Sequence, residues 1–592
     1  MTKALILNEY DDVKDCLKYK RQRDCKLFTT HPSVQVYLNS ICGLECKLLS
    51  EYHQVQETGK WIEQIDVAVD RLLADMDNVI TESMESTLGF KMNCLTALYA
   101  YFTKHQYLGY LCLIEAVKRL SYQENIEDVI LYNFKTLNGF KNKNGLRRLF
   151  ESYRLKNINV GVIEPKRKSM RGTSALLRKV NRITTQPFLI VDKIFNIWEQ
   201  NARCVWSKDK KNVLLYGNLY NLKGVERYFE NDYNVIKHSE NSYFTMQKSK
   251  KFNDYQQFNF DEKDFQKYSA NDVEKVLVQD VLEDFNHNVN RYIRGLRILD
   301  ALNQEYGIHM GVWGNPPIKG FKALAMEYLR SRKIKVIGAQ HGSVPGSQRK
   351  IWQIGTDFSK CDDYISYGFT NDNLKKLYSG YDFHVNVHPI GMKSPIKRKD
   401  RRMDIDILFP ITNSVDIFNG GMTRVFPHEL NNRQIKILKF LNELKDKNIY
   451  IKPFNNTKFM NFSMQPILKN MKNLKIEKNC TFTEFLNKYN PKVIVIEYPS
   501  TPLYEALFTD ADIFMLNDEI NPYGNEALEL LKKRVNYFED VNEMIKELKE
   551  YSSMHRKTDC GYFKKYIHPG EMDGKLQDLM RNLGSRKFST IS

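Results

Sequence analysis

Three short runs carry residue types that do chemistry at neutral pH. Gln340-His341-Gly342 closes the apolar run Lys335–Ala339. Imidazole is the side chain best suited to exchange a proton near neutrality, a glutamine amide can orient a hydroxyl or a base, and glycine admits a ligand close to the backbone. Tyr498-Pro499-Ser500-Thr501-Pro502-Leu503-Tyr504-Glu505 follows the apolar run Val493–Ile496. Thr501 suits a helix N-cap and Pro502 the first helical position, so free amides and the positive dipole end would receive a phosphate, with the Ser500 and Thr501 hydroxyls as further donors. Glu505 lies just past the capping-box position, and a carboxylate there suits ribose hydroxyls. Lys452-Pro453 closes Ile449-Tyr450-Ile451 in what reads as a cationic loop, offering a point charge to a phosphate. Secondary candidates are Thr412, Asn413 and Arg424 after the run Asp404–Phe409, in a loop with Gly420 and Gly421, and Asn315 after Gly311-Val312-Trp313.

The elements that must position these residues read as two α/β series. A β-branched run that gives way to a polar turn is the C-terminal end of a parallel strand, and ligands of open α/β sheets bind outside such ends. The reading is therefore a pair of Rossmann-type domains facing across a cleft. The first covers residues 1–395 and carries a helical insertion over about 54–185, where Trp61, Ile65, Leu72 and Met76 share a helical face and a second helical pattern runs from Leu95 to Leu120. Strands are expected at Ala4–Leu7, Lys26–Phe28, Pro187–Val191, Asn212–Tyr216 and Tyr233–Lys237, and a long amphipathic helix over 270–306. A basic linker at Pro395–Arg402 leads to a second domain over 403–545, and a helical, basic tail covers 546–592.

Several classes lose support. No GxSxG, Walker A, HExxH, or GxGxxG after a strand is present, which disfavours hydrolase, P-loop and classical dehydrogenase chemistry. None of the 10 cysteines forms a CxxC pair, so no zinc site and a reducing compartment are expected. Asp404-Ile405-Asp406 and Asp510-Ala511-Asp512 match a metal-binding DxD pattern but precede their strands, at the wrong edge for the cleft. The net charge of +18 is spread along the chain; it favours anionic partners such as nucleotides, phosphates and acidic lipid, and disfavours dedicated nucleic-acid binding, which needs a clustered patch. No apolar window approaches membrane-span length, so a cytoplasmic protein is expected, with the basic surface favouring the inner face of the membrane.

The Gln340-His341-Gly342 strand end, together with Lys452-Pro453 and Tyr498-Pro499-Ser500-Thr501 followed by Glu505-Ala506, resembles bacterial surface-polysaccharide transferases of GT-B architecture. These include capsule and lipopolysaccharide enzymes similar to Kdo and sialic-acid transferases and, more distantly, CDP-glycerol glycerophosphotransferases. The resemblance covers about residues 305–520. It implies donor-nucleotide contacts at Ser500, Thr501 and Glu505 and a functional role near His341. Family members usually carry His-Pro where this chain has Lys452-Pro453, so the histidine that holds a CMP phosphate has no counterpart here.

The combined expectation is a metal- and cofactor-independent glycosyltransferase. Its C-terminal domain would hold a nucleotide-sugar donor through Lys452, Ser500, Thr501, Glu505, Thr412, Asn413 and Arg424. His341 and Gln340, with Gly342 and Asn315, would serve a surface-glycan or lipid-linked acceptor. Transfer of a CDP-linked polyol phosphate, nucleotide-sugar epimerisation on the same fold, and nucleic-acid binding stand as alternatives.

Overall fold

The structure, a computed structural model, describes residues 2–7, 13, 25–53, 55–132, 145–152, 155, 158–163, 210–216, 229, 233–238, 257–318, 320–342, 345–350, 353–396, 403–412, 427–453, 465–517, 522–551, 557–570 and 572–585. Asn413, Arg424, Gly420 and Gly421, and the strand expected at Pro187–Val191, lie outside these residues.

Short runs such as Ala4-Leu5-Ile6-Leu7 and Val493-Ile494-Val495-Ile496 are apolar on both faces, the signature of strands covered by helices on two sides. Among the described residues they assemble into three sheets, each with parallel neighbours. The first contains β1 (Thr2–Leu7), β2 (Cys25–Thr29), α1 (Pro32–Ser40), β3 (Cys46–Leu48), α2 (Val55–Leu88), α3 (Cys94–Glu124), β4 (Ile126–Tyr132), α4 (Gly145–Ser152) and β5 (Asn159–Ile163), in strand order β3-β2-β1-β4-β5. The run of helix expected as an insertion is thus broken after Glu124, where β4 begins. Its two long helices are the crossover of a separate sheet, which β4 and β5 complete from inside that segment.

The second sheet follows with β6 (Lys211–Tyr216), β7 (Tyr233–His238), α5 (Asp272–Tyr306), β8 (Ile308–Trp313), α6 (Gly320–Ser331), β9 (Lys335–Ala339), β10 (Asp363–Ser366), α7 (Asn371–Leu377) and β11 (Asn386–Pro389), ordered β11-β10-β9-β8-β6-β7. Local signals bound α5 at both ends: Asn271 Oδ1 caps the backbone N–H of Glu274, and Gly307 stops the helix in the left-handed region at φ 62°.

The third sheet comprises β12 (Met403–Ile411), α8 (Pro427–Glu443), β13 (Ile449–Pro453), α9 (Gln465–Leu468), β14 (Leu474–Ile476), α10 (Phe482–Lys488), β15 (Tyr489–Ile496), α11 (Thr501–Ala506), β16 (Asp512–Leu516), α12 (Asn525–Lys532), β17 (Asn536–Phe538) and α13 (Val541–Glu550). Its order is β14-β13-β12-β15-β16-β17, so the direction of winding reverses between β12 and β15. That reversal opens a crevice at the C-terminal ends of those two strands. Asp404 and Asp406 lie within β12 and do not precede it as expected, but they occupy its N-terminal end, at the edge opposite the crevice, where Asp406 accepts the Asn448 N–H and the Lys492 ammonium.

The closing helices α14 (Gly561–Tyr566) and α15 (Met572–Ser585) do not form a free tail. They return to the second sheet: the Met392 N–H donates to the Ile567 carbonyl at 2.8 Å, and a Cβ on Gly368 would lie 2.5 Å from the Lys565 carbonyl oxygen. One apolar core runs from the first sheet through the second onto one face of the third, while the α8/α13 face has a core of its own. The expectation of an α/β protein with two Rossmann-type sheets facing across a crevice holds, and the first sheet is an additional layer beside them.

Candidate active site

The C-terminal edges of the second and third sheets meet. A Cβ built on Gly342, after β9, would stand 3.6 Å from the Thr501 hydroxyl oxygen, at the start of α11. The two runs singled out in the sequence therefore form opposite lips of one crevice. A strap after the first run holds the lips together. Gln348 bridges Tyr523 in antiparallel fashion, the Arg349 N–H donates to the Pro522 carbonyl at 2.9 Å, and the Gly524 N–H donates to the Ser347 carbonyl at 2.9 Å. The Lys350 ammonium reaches across to the Tyr498 hydroxyl at 3.5 Å.

On the second-sheet lip, His341 is exposed to the crevice. Protein packed around its other sides holds the imidazole below the usual 6.5 through desolvation; nearby Asp357 opposes this and Lys322 adds to it. Asp357 is itself buried, and its oxygens accept from Thr356 Oγ1 at 2.7 Å and the Tyr364 hydroxyl at 3.1 Å. Gln340 departs from expectation. Its side chain is buried, Oε1 accepts the Tyr367 N–H at 2.7 Å and Nε2 donates to the Gly342 carbonyl at 3.0 Å. The amide is spent on splinting the turn to the end of β10, so Gln340 positions His341 instead of facing a ligand. Asn315, half-buried after β8, accepts the Lys322 ammonium on its carbonyl at 2.6 Å.

On the third-sheet lip, α11 begins one residue earlier than the sequence suggested. Ser500 is the N-cap and makes no side-chain capping bond. Ser500 and Thr501 are both half-buried. Glu505, in the same short helix, is 7% exposed, and its Oε2 has no hydrogen-bond partner among the described residues. Desolvation raises its pKa to about 7, against a hydrogen bond from Thr483. Lys452 is a correction to the sequence reading: it sits inside β13, 3% exposed, and its ammonium donates to the Pro453 carbonyl at 2.6 Å, so it is not a solvated loop cation. Burial lowers its pKa, with Cys480, Glu477 and Glu484 opposing.

Glu497 escaped the sequence reading, although a carboxylate directly after the apolar run Val493–Ile496 was a signal. It bridges the reversal point of the sheet: Oε1 accepts the Thr412 N–H at 2.6 Å and Gln434 Nε2 at 2.8 Å. The residue is 1% exposed, Oε2 has no partner among the described residues, and desolvation raises the pKa to about 8. Asn431 Oδ1 and Gln434 Oε1, both on α8, are likewise buried and unpaired among the described residues. A buried acceptor without a donor costs free energy, so this corner favours a ligand rich in hydroxyls. Thr412 belongs to the same corner. Lys350 and Asp357 carried no sequence signal, because chain folding alone brings them to these positions.

Comparison with known proteins places the chain. A family model described as "LIC12162 family transferase" matches residues 72–533, most of the sequence and both lips of the crevice. The chain belongs to the LIC12162 family of transferases. No curated protein matches it. Among solved structures it is similar to a putative UDP-N-acetylglucosamine 2-epimerase from Listeria monocytogenes, at 11% identity and TM-score 0.37, over 65% of this chain and 100% of the other. It is also similar to a sucrose-phosphate synthase from Thermosynechococcus elongatus, at 9% identity and TM-score 0.33, over 62% and 95%. A third is UGT71G1 of Medicago truncatula, solved with UDP-glucose, at 10% identity and TM-score 0.35, over 63% and 98%. No described helix is long and apolar enough to cross a membrane.

Proposed function

We propose that this transferase moves a sugar from a nucleotide-activated donor to the hydroxyl of a surface-glycan or lipid-linked acceptor. The observation that carries the reading is the nearness of the two lips, such that a Cβ on Gly342 would stand 3.6 Å from the Thr501 hydroxyl oxygen, which sets a solvent-accessible histidine against a lip of hydroxyls and buried carboxyls. The donor would lie on the third sheet, with Ser500 and Thr501 facing its phosphate and Glu497 and Glu505 receiving sugar and ribose hydroxyls. Buried oxygens with no partner among the described residues, one on each glutamate, support that role. The acceptor oxygen attacks the anomeric carbon, the bond from that carbon to the phosphate oxygen breaks, and the nucleotide leaves with the electron pair. His341 receives the acceptor proton; a pKa held below 6.5 keeps its imidazole neutral and basic at pH 7. Protein groups, not a resident metal, would meet the phosphate charge, and the net charge of +18 favours an acceptor presented at an anionic surface.

A thermal-shift screen across CMP-, CDP-, UDP- and GDP-linked sugars tests the donor. One nucleotide class should raise Tm in the wild type, and Ser500→Ala or Glu505→Ala should reduce that rise. If no nucleotide stabilises the protein, or both variants respond as the wild type does, the donor site is not here.

A further inference from the structure

The cation expected on the donor lip, Lys452, is turned into the Pro453 carbonyl and lies 3% exposed within β13. A second lysine occupies the crevice from the other side. Lys350 belongs to the strap that follows β9, yet its ammonium lies 3.5 Å from the hydroxyl of Tyr498 and 5.8 Å from the centre of that ring. Tyr498 sits on the turn that leads directly to Ser500 and Thr501. We propose that Lys350 is the donor-phosphate ligand, a cation delivered to the third-sheet lip by the second sheet. The inference rests on the donor-site reading above.

Three features of the strap suit the role. Its backbone is fixed, since the Lys350 N–H donates to the Tyr378 hydroxyl at 3.0 Å and that hydroxyl donates to the Lys350 carbonyl at 3.2 Å. The neighbouring cation turns the other way: Arg349 pairs with Glu63 of α2 at 2.7 Å and leaves the crevice to Lys350 and Tyr498. The Lys350 side chain is half-buried, so a phosphate brought to it is partly shielded from water and the attraction between them is strengthened. Its contact with Tyr498, a long hydrogen bond and a cation–ring approach, is weaker than a charge-assisted bond to phosphate, and a short swing of the flexible stem exchanges one for the other. Because the lysine comes from one lip and the hydroxyls from the other, a bound phosphate would tie the two sheets together.

The test compares wild type, Lys350→Met and Lys350→Arg by calorimetry. The probes are UDP, CDP, GDP and CMP, with the matching nucleosides and inorganic pyrophosphate as competitor. The wild type should bind one nucleotide more tightly than its nucleoside. Lys350→Met should weaken the nucleotide by about ten- to a hundredfold, the range of a hydrogen bond to a charged group, and leave the nucleoside within about twofold. Lys350→Arg should restore most of the loss, and pyrophosphate should compete in the wild type but not in Lys350→Met. Unchanged Tm in the absence of nucleotide confirms that both variants are folded. Nucleotide affinity equal to wild type in Lys350→Met overturns the assignment of Lys350 alone. Absence of nucleotide binding by the wild type overturns the donor-site reading, and this inference with it.

Discussion

At the residue scale the proposed site divides its labour between an accessible histidine and buried carboxyls. Replacing His341 by Ala should lower kcat by about a hundred- to ten-thousandfold, the usual contribution of a general base, with donor affinity little changed. Because surrounding protein holds the imidazole down, the acidic limb of the kcat/KM profile should lie below pH 6.5, and a limb above that value would contradict the environment described for His341. Glu497 and Glu505 give a prediction for stability. Their folded pKa values of about 8 and about 7 exceed the ordinary 4.5, so the folded chain keeps protons that the unfolded chain has released. Stability therefore falls as pH rises from about 4.5 through 8, and Glu497→Gln, which cannot ionise, should show a shallower decline of Tm from pH 5 to 8. The placement of His341, Ser500, Thr501 and Glu505 on the two lips was legible in the sequence, because each stands just beyond an apolar strand run. Gln340 and Lys452 were misjudged for a single reason: residue type and strand-end position do not reveal which backbone carbonyl or N–H a side chain will meet.

At the scale of elements, the strap and the C-terminal helices keep the lips in register. Gly346 has φ 77°, and a Cβ there would lie 2.1 Å from Phe369 Cγ. Gly346→Ala should cost about 2 kcal/mol or more, from left-handed strain plus overpacking, and should lower activity by displacing the strap. Chemical denaturation together with turnover checks this; a neutral effect on both would show that the strap tolerates movement. Gly368 is closed off by the Lys565 carbonyl and the Ile567 amide of the returning chain. Gly368→Ala should therefore release α14 and α15 to limited proteolysis while the core of the third sheet stays protected. The long helices, α5 among them, were readable from their periodicity. That β4 and β5 belong with β1 was not readable: parallel pairing across two long crossover helices leaves no local mark, and an insertion gives the same period.

Across the whole molecule, the first sheet is bound to the second by a seam of buried acids on α5 and tyrosines on α3. Tyr99 donates to Asp284 at 2.8 Å and Tyr110 to Asp280 at 2.6 Å. With one apolar core continuous across all three sheets, Tyr99→Phe should destabilise the chain by about 1–3 kcal/mol, by leaving a buried carboxylate short of a donor, and should shift a single cooperative unfolding transition. Transfer activity should survive EDTA if Lys350 and the Ser500 and Thr501 hydroxyls meet the donor charge, and loss of activity on chelation would contradict this. The central claim is that donor and acceptor meet between the second and third sheets, although the first sheet has a reversal point of its own between β1 and β4. A crystal structure with the nucleotide that most raises Tm decides between them. Its phosphate should lie between Thr501 and Lys350, with the ribose toward Glu505; a nucleotide seated at the β1/β4 edge of the first sheet would contradict the proposed site.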